Sequence, residues 1–325
     1  MRFDDKRLTL WLKMINLVNN IIRLLLLVVV SLLYTSCFTG VESTQKITEK
    51  DVKRAVEQFD NNHEHSIRAY VDSLPSWREG KGFWVLDNQV RYLFTPSFDF
   101  DIDSLDLEGE MLTYAGYEIR RHIDNTEVVD VLLRYGSHVL RYATGKPIED
   151  VSRSAFSIPF MVDDDMLKSV SQQLVGKTVY VKTPAWYDLA GNELSGCPHY
   201  VPVEILAVKP GNKLHPLRVE FRADNGNEAL LWMKIPGTTG AGRDFDSQFS
   251  MSDVRKQYPH ISSSTWSSIV ACKVAEGMTK EECRLALGNP VSVQQLPDQS
   301  GLREYWYYDG GKTLFFVDGL LKEYR

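Results

Sequence analysis

Apolar positions along this chain change their spacing several times, and each change marks an element. Residues 24–33 (LLLLVVVSLL) are an unbroken apolar run with Lys13 and Arg23 before it. A helix needs about 20 residues to cross a bilayer, so this run is too short, and with its basic flank it reads as the core of an export signal. Farther on, Val52, Ala55, Val56 and Phe59 recur at helical spacing, with Thr48 and Asp51 placed as a capping pair. A second amphipathic piece over 66–74 stops at Pro75. The period then falls toward two. FWVLDNQVRYLF, GYEIRRHI, EVVDVLLRYG and SHVLRYATG read as short strands between Gly and Asn turns, with Tyr117 and Ile119 on one face.

The same pattern then repeats. GKGFWVLDN at 80–88 returns as GKTVYVKTP at 176–184. DDDMLKSVSQQL precedes the second copy as a helix with acids in its first turn, where the helix dipole favours them. YVPVEILAV aligns with YAGYEIRRH through the shared Glu-Ile pair, and LRVEFRADNG and ALLWMKIPG supply the later strands. The pattern predicts an α+β chain with two tandem units, each a helix followed by about five short antiparallel strands curled into a small barrel or sandwich. Residues 174–236 resemble a bacterial SH3-like barrel. That resemblance implies a binding module, often one for peptidoglycan.

The last segment has another rhythm. WSSIVACKVAEGMTKEECRLALGNP predicts two short helices, the second capped by Thr279 with Glu282 in the capping-box position and ended by Gly288 and Pro290. VSVQQL, LREYWYYD and KTLFFVD predict three strands, with LLKEYR as a possible continuation. GMTKEE, LGNP, an aromatic strand and FFVDG, in this order, resemble the small outer-membrane assembly lipoproteins of the SmpA/OmlA (BamE) family. That resemblance covers about residues 266–325. It implies a two-helix, three-stranded module that presents a sheet or loop surface to another protein.

At the front, Tyr34-Thr35-Ser36-Cys37 follows the apolar run and resembles a bacterial lipoprotein cleavage box, in which Cys37 carries the lipid. The whole arrangement resembles lipoproteins of the Bacteroidetes type. This implies a cell-envelope protein anchored in a membrane, most naturally the outer membrane, and facing the periplasm. The expected organisation is a signal peptide (1–36), a tether (37–47), unit one (48–147), unit two (148–238), a linker (239–264) and the tail module (265–325).

Charge narrows the choice of partner. The chain carries −6 in total, and the leader has five basic and two acidic residues, which leaves the rest near −9. A basic footprint for nucleic acid is missing. Beyond Cys37 the cysteines are Cys197, Cys272 and Cys283. They read either as small buried apolar residues or as one bridge between Cys272 and Cys283, the pair nearest in sequence.

Candidate sites follow. Asp99, Asp101, Asp103 and Glu110 fall at positions 1, 3, 5 and 12 of a Ca²⁺ loop, yet Ser104 stands where that loop needs Gly. The stretch also reads as a partner-facing acidic loop or as a solvated strand edge, because Phe98, Phe100 and Ile102 alternate with the acids. His63-Glu64-His65 reads as a surface turn, and Cys197-Pro198-His199 as a turn without catalytic geometry. Trp186 and Tyr187 are candidates for glycan binding. In the tail, alternation places Trp306 and Tyr308 on one sheet face and Tyr305 and Tyr307 on the other, so one pair faces the helices and the other is offered to a partner. No acid–base constellation, metal set or cofactor motif emerges. The expectation is a non-enzymatic envelope protein that binds a protein partner. A peptidoglycan-binding lipoprotein is the alternative, and a hydrolase with an unrecognised site the remaining one.

Overall fold

The computed structural model describes residues 67–121, 125–238, 243–298 and 301–325. Cys37, the leader, the tether, the helix expected before residue 62, and His63 and His65 lie outside them. Among the described residues no helix is long and apolar enough to cross a membrane.

The described chain is α+β and is built mostly from three antiparallel sheets. The first contains β1 (Gly82–Val85), β2 (Met111–Arg121), β3 (Glu127–Tyr135) and β4 (His138–Ala143). A short helix, α1 (Ile148–Ser152), leads to β5 (Met161–Asp163), which closes the sheet beside β1. Helix α2 (Asp164–Leu174) follows at once. The second sheet has β6 (Thr178–Val181), β7 (Val201–Pro210), β8 (Leu217–Ala223) and β9 (Glu228–Met233). One helical turn, α3 (Phe245–Gln248), delivers β10 (Phe249–Ser250) to the free side of β6.

The two sheets share one strand order, β4-β3-β2-β1-β5 and β9-β8-β7-β6-β10. The repeated Gly-Lys has a mechanical reason. Gly80 and Gly176 both have left-handed backbone, at φ 88° and 77°, which glycine adopts at no steric cost. Gly80 N–H donates to Tyr114 O at 2.8 Å, and Tyr114 N–H donates back to Lys81 O at 2.8 Å. Gly176, Ile205 and Lys177 repeat this pair at 2.9 and 3.0 Å. A bulge follows in each copy, between Tyr114 and Gly116 and between Ile205 and Ala207.

The repeat therefore stands, but its register differs from the one the Glu-Ile pairs suggest. Ile205 occupies the place of Tyr114, not of Ile119. The reason is burial. Ile119 is 51% and Tyr117 38% exposed, while Tyr114 is buried.

Two expected boundaries also move. Strand β5 belongs to the first sheet although it lies beyond residue 147. Within the expected linker, Phe245 and Phe249 are buried and stacked at 5.6 Å, and Lys182 N–H donates to Gln248 O at 2.8 Å. That stretch closes the second sheet. Helix α2 is capped by the Asp163 carboxylate, which accepts from Asp165 and Met166 N–H at 2.8 and 3.4 Å. Its apolar face of Met166, Leu167, Val170 and Leu174 packs into the second core with Val203, Ile205 and Phe221.

The tail has helices α4 (Ser263–Val270) and α5 (Lys280–Leu287), the latter with the complete Thr279–Glu282 capping box. Its sheet has four strands rather than three, in sequence order: β11 (Ser292–Asp298), β12 (Gly301–Tyr307), β13 (Thr313–Val317) and β14 (Leu320–Tyr324). The LLKEYR end is paired because the Asp318-Gly319 turn returns the chain along β13, with Asp318 left-handed at φ 51°. Trp266, Ile269, Cys283, Trp306, Leu314, Phe316 and Leu321 form its core, and Tyr180 and Tyr200 of the second unit pack against it.

Candidate functional site

Alternation along β12 and β13 divides the tail sheet into two faces. On the face toward the helices, Trp306 and Phe316 are fully buried, with ring centroids 4.6 Å apart. The Trp306 indole donates to Glu304 Oε2 at 3.1 Å, Glu304 Oε1 accepts from Lys280 Nζ at 2.7 Å, and the Arg284 guanidinium lies 4.6 Å above the Trp306 ring. Burial alone would raise the Glu304 pKa, but the Lys280 and Trp306 hydrogen bonds outweigh it and hold the carboxyl below its ordinary range. Trp306 is thus a core anchor and not the partner-binding residue that its sequence context suggests. Tyr308 is also occupied on this side. Its hydroxyl donates to Gly288 O at 3.2 Å, and burial pushes its pKa up to about 12.

The other face carries Tyr305 stacked on Phe315 at 4.7 Å, with the Tyr307 hydroxyl donating to Gln294 Oε1 at 3.3 Å. Arg303, Tyr305, Thr313, Phe315, Glu323, Tyr324 and Arg325 line a shallow depression of 480 Å³ there. Of the four aromatic candidates in the tail, Tyr305 is half-buried and Tyr307 exposed.

The other sequence candidates fare differently. Trp186 is 5% exposed, meets Phe221 edge-on at 5.0 Å and donates its indole N–H to Thr183 O at 2.9 Å. It is part of the second core and offers no platform to a sugar. Tyr187 is half-buried, with Arg243 5.3 Å over its ring and hydrogen-bonded to its hydroxyl at 2.9 Å.

The acidic stretch is a looped segment rather than a strand edge. Asp101 accepts from Asp103 N–H at 3.1 Å and caps the 3₁₀ turn Ile102–Ser104. Asn88 holds the segment through Asp106 at 2.8 Å and Leu107 N–H at 2.8 Å, and Arg91 donates to the carbonyls of Asp103 and Leu105. Among the described residues no His/Cys/Asp/Glu group is arranged to hold a metal ion, and Asp99, Asp101, Asp103 and Glu110 do not form one.

One cluster escaped the sequence reading. Lys81 is buried, and its Nζ lies 2.8 Å from Asp163, 3.1 Å from Asp165 and 3.4 Å from Asp72. Burial would lower its pKa, but these carboxylates outweigh it and raise the ammonium above its ordinary value. Burial in turn raises Asp163. An ammonium with three acids around it is not a free nucleophile; the cluster ties the segment before β1 to β1 and to α2. Its counterpart Lys177 is exposed. The signal in the sequence was the Asp163-Asp164-Asp165 run, which serves both as helix cap and as counter-charge.

Neither family models, nor curated proteins, nor solved structures provide a match to this chain.

Proposed function

We propose that this protein is a non-enzymatic lipoprotein of the bacterial cell envelope, anchored through Cys37 and facing the periplasm from the outer membrane, and that it binds another protein through its tail sheet. The observation that carries this reading is the division of that sheet. Helices cover the Trp306 face, while the Tyr305–Phe315 stack and Tyr307 face outward around the 480 Å³ depression. Aromatic side chains on an uncovered surface are favoured anchors of protein interfaces. Arg303, Arg325 and Glu323 stand around the stack. The partner that fits is a protein segment that lays an apolar side chain on it. In this reading the two repeated sheets are SH3-like barrels that serve as the stalk, and the tail is the SmpA/OmlA-like presenting module. Of the two aromatics assigned to peptidoglycan binding, Trp186 is buried within the second core and Tyr187 is half-buried.

The test is capture from detergent-solubilised envelope, run beside purified cell-wall sacculi. Wild type, Tyr305→Ser/Phe315→Ser and Tyr187→Ala are compared at matched circular dichroism. A stoichiometric protein lost only with the Tyr305/Phe315 variant supports the reading. Capture indifferent to that variant, or retention on sacculi alone, overturns it.

A further inference from the structure

Cys197 lies between β6 and β7, and Cys272 lies in the turn after α4, far apart in sequence. The fold joins these two stretches at one point. His199 N–H donates to Val270 O at 3.2 Å, and His199 Nε2 faces Ile269 O at 2.7 Å. The same Ile269 oxygen accepts from Cys272 N–H at 2.8 Å. Backward from His199 and forward from Val270, the chain reaches a cysteine after two residues in each direction. These hydrogen bonds bring the two cysteine-bearing turns together, with each cysteine two residues from the His199–Val270 contact. A disulfide requires Cα atoms within about 7 Å of one another.

Three further observations agree. Both cysteines are free and half-buried. Burial pushes the Cys272 thiol up, the Lys312 ammonium acts against this, and Cys197 is near enough to act on it electrostatically. Cys283, the nearer partner in sequence, is fully buried in the tail core, and its thiol is pushed up to about 12.

We propose that Cys197 and Cys272 close an intramolecular disulfide that pins the tail module to the second sheet. The oxidant is an external disulfide, either a small one or that of a thiol–disulfide oxidoreductase. The Cys272 thiolate attacks one of its sulfurs and expels a thiolate, which leaves a mixed disulfide. The Cys197 thiolate then attacks Cys272 Sγ; the Sγ–Sγ bond forms and the second thiolate leaves. Two electrons pass from the cysteines to the oxidant, and the two thiol protons end on the departing thiolates. The inference stands apart from the proposed partner binding.

The full chain, reduced and then incubated with oxidised glutathione, would be alkylated, digested without reduction and mapped by mass spectrometry. The expected product is a linked peptide pair joining Cys197 to Cys272, with Cys283 alkylated only after unfolding. Cys283→Ser should still close the bridge, and Cys197→Ser and Cys272→Ser should each abolish it. Full alkylation of both thiols, glutathione retained without closure, or a link through Cys283 or Cys37 would overturn the proposal.

Discussion

His199 Nε2 lies 2.7 Å from the carbonyl oxygen of Ile269, so a buried imidazole in the connection between β6 and β7 is hydrogen-bonded to the first helix of the tail. Burial lowers the His199 pKa, and the Ile269 and Lys182 backbone groups only partly oppose it. The folded protein therefore binds this proton less readily than the unfolded chain, whose histidine titrates near about 6.5. The stability it contributes is present above that pH and is lost as pH falls below it. Thermal melts between pH 8 and pH 5 should show a progressive loss that His199→Gln, which does not titrate, reduces. Equal pH slopes in the two proteins would contradict this origin.

Lys81 and Lys177 test whether the repeated motif is used alike in both copies. Lys81→Met leaves Asp72, Asp163 and Asp165 facing one another without a cation, and removal of one side of a buried ion cluster costs about 3–5 kcal/mol. Lys177→Met changes an exposed side chain and should stay within about 0.5 kcal/mol. Urea melts of the two variants measure the difference, and equal costs would mean that the cluster adds nothing.

Trp306→Ala should destabilise the tail by about 3–5 kcal/mol, because it empties a fully buried site and leaves Glu304 with one donor fewer. Tyr305→Ser, on the outer face, should keep the wild-type near-ultraviolet spectrum and melting temperature within a few degrees. A cooperative melt of Trp306→Ala at the wild-type midpoint would argue against this division of the sheet.

The paired glycines make a sharper comparison. A Cβ at Gly80 or Gly176 would meet nothing within 4 Å, so Ala at either position costs only its left-handed backbone, about 1–2 kcal/mol. Similar losses at both sites, read by denaturant titration, are expected from a shared turn. A neutral change at either one would remove it from that role.

What the sequence revealed was local. The Thr279–Glu282 capping box needs only residues within one turn, and both of its hydrogen bonds are present. The duplicated Gly-Lys was legible because each copy writes its own turn. The register of the second strand was not, because Tyr117 and Ile119 alternate as core residues would and yet are 38% and 51% exposed. Alternation separated Trp306 from Tyr305, but only the helices packed on one side decide which of them is inside. The partners of Lys81 come from residues 72, 163 and 165, and Cys197 meets the Cys272 turn through His199. Contacts of that range exist only once the chain has folded.

Asp163 ends the last strand of the first sheet, caps the first helix of the second unit and neutralises the lysine of the first motif. A single residue thus belongs to both copies at once. The boundary between the two similar stretches of sequence is not a seam along which the protein can be cut. A fragment ending between the repeats would lose an edge strand on one side or a helix cap on the other. The two similar stretches of sequence share a residue that each of them needs.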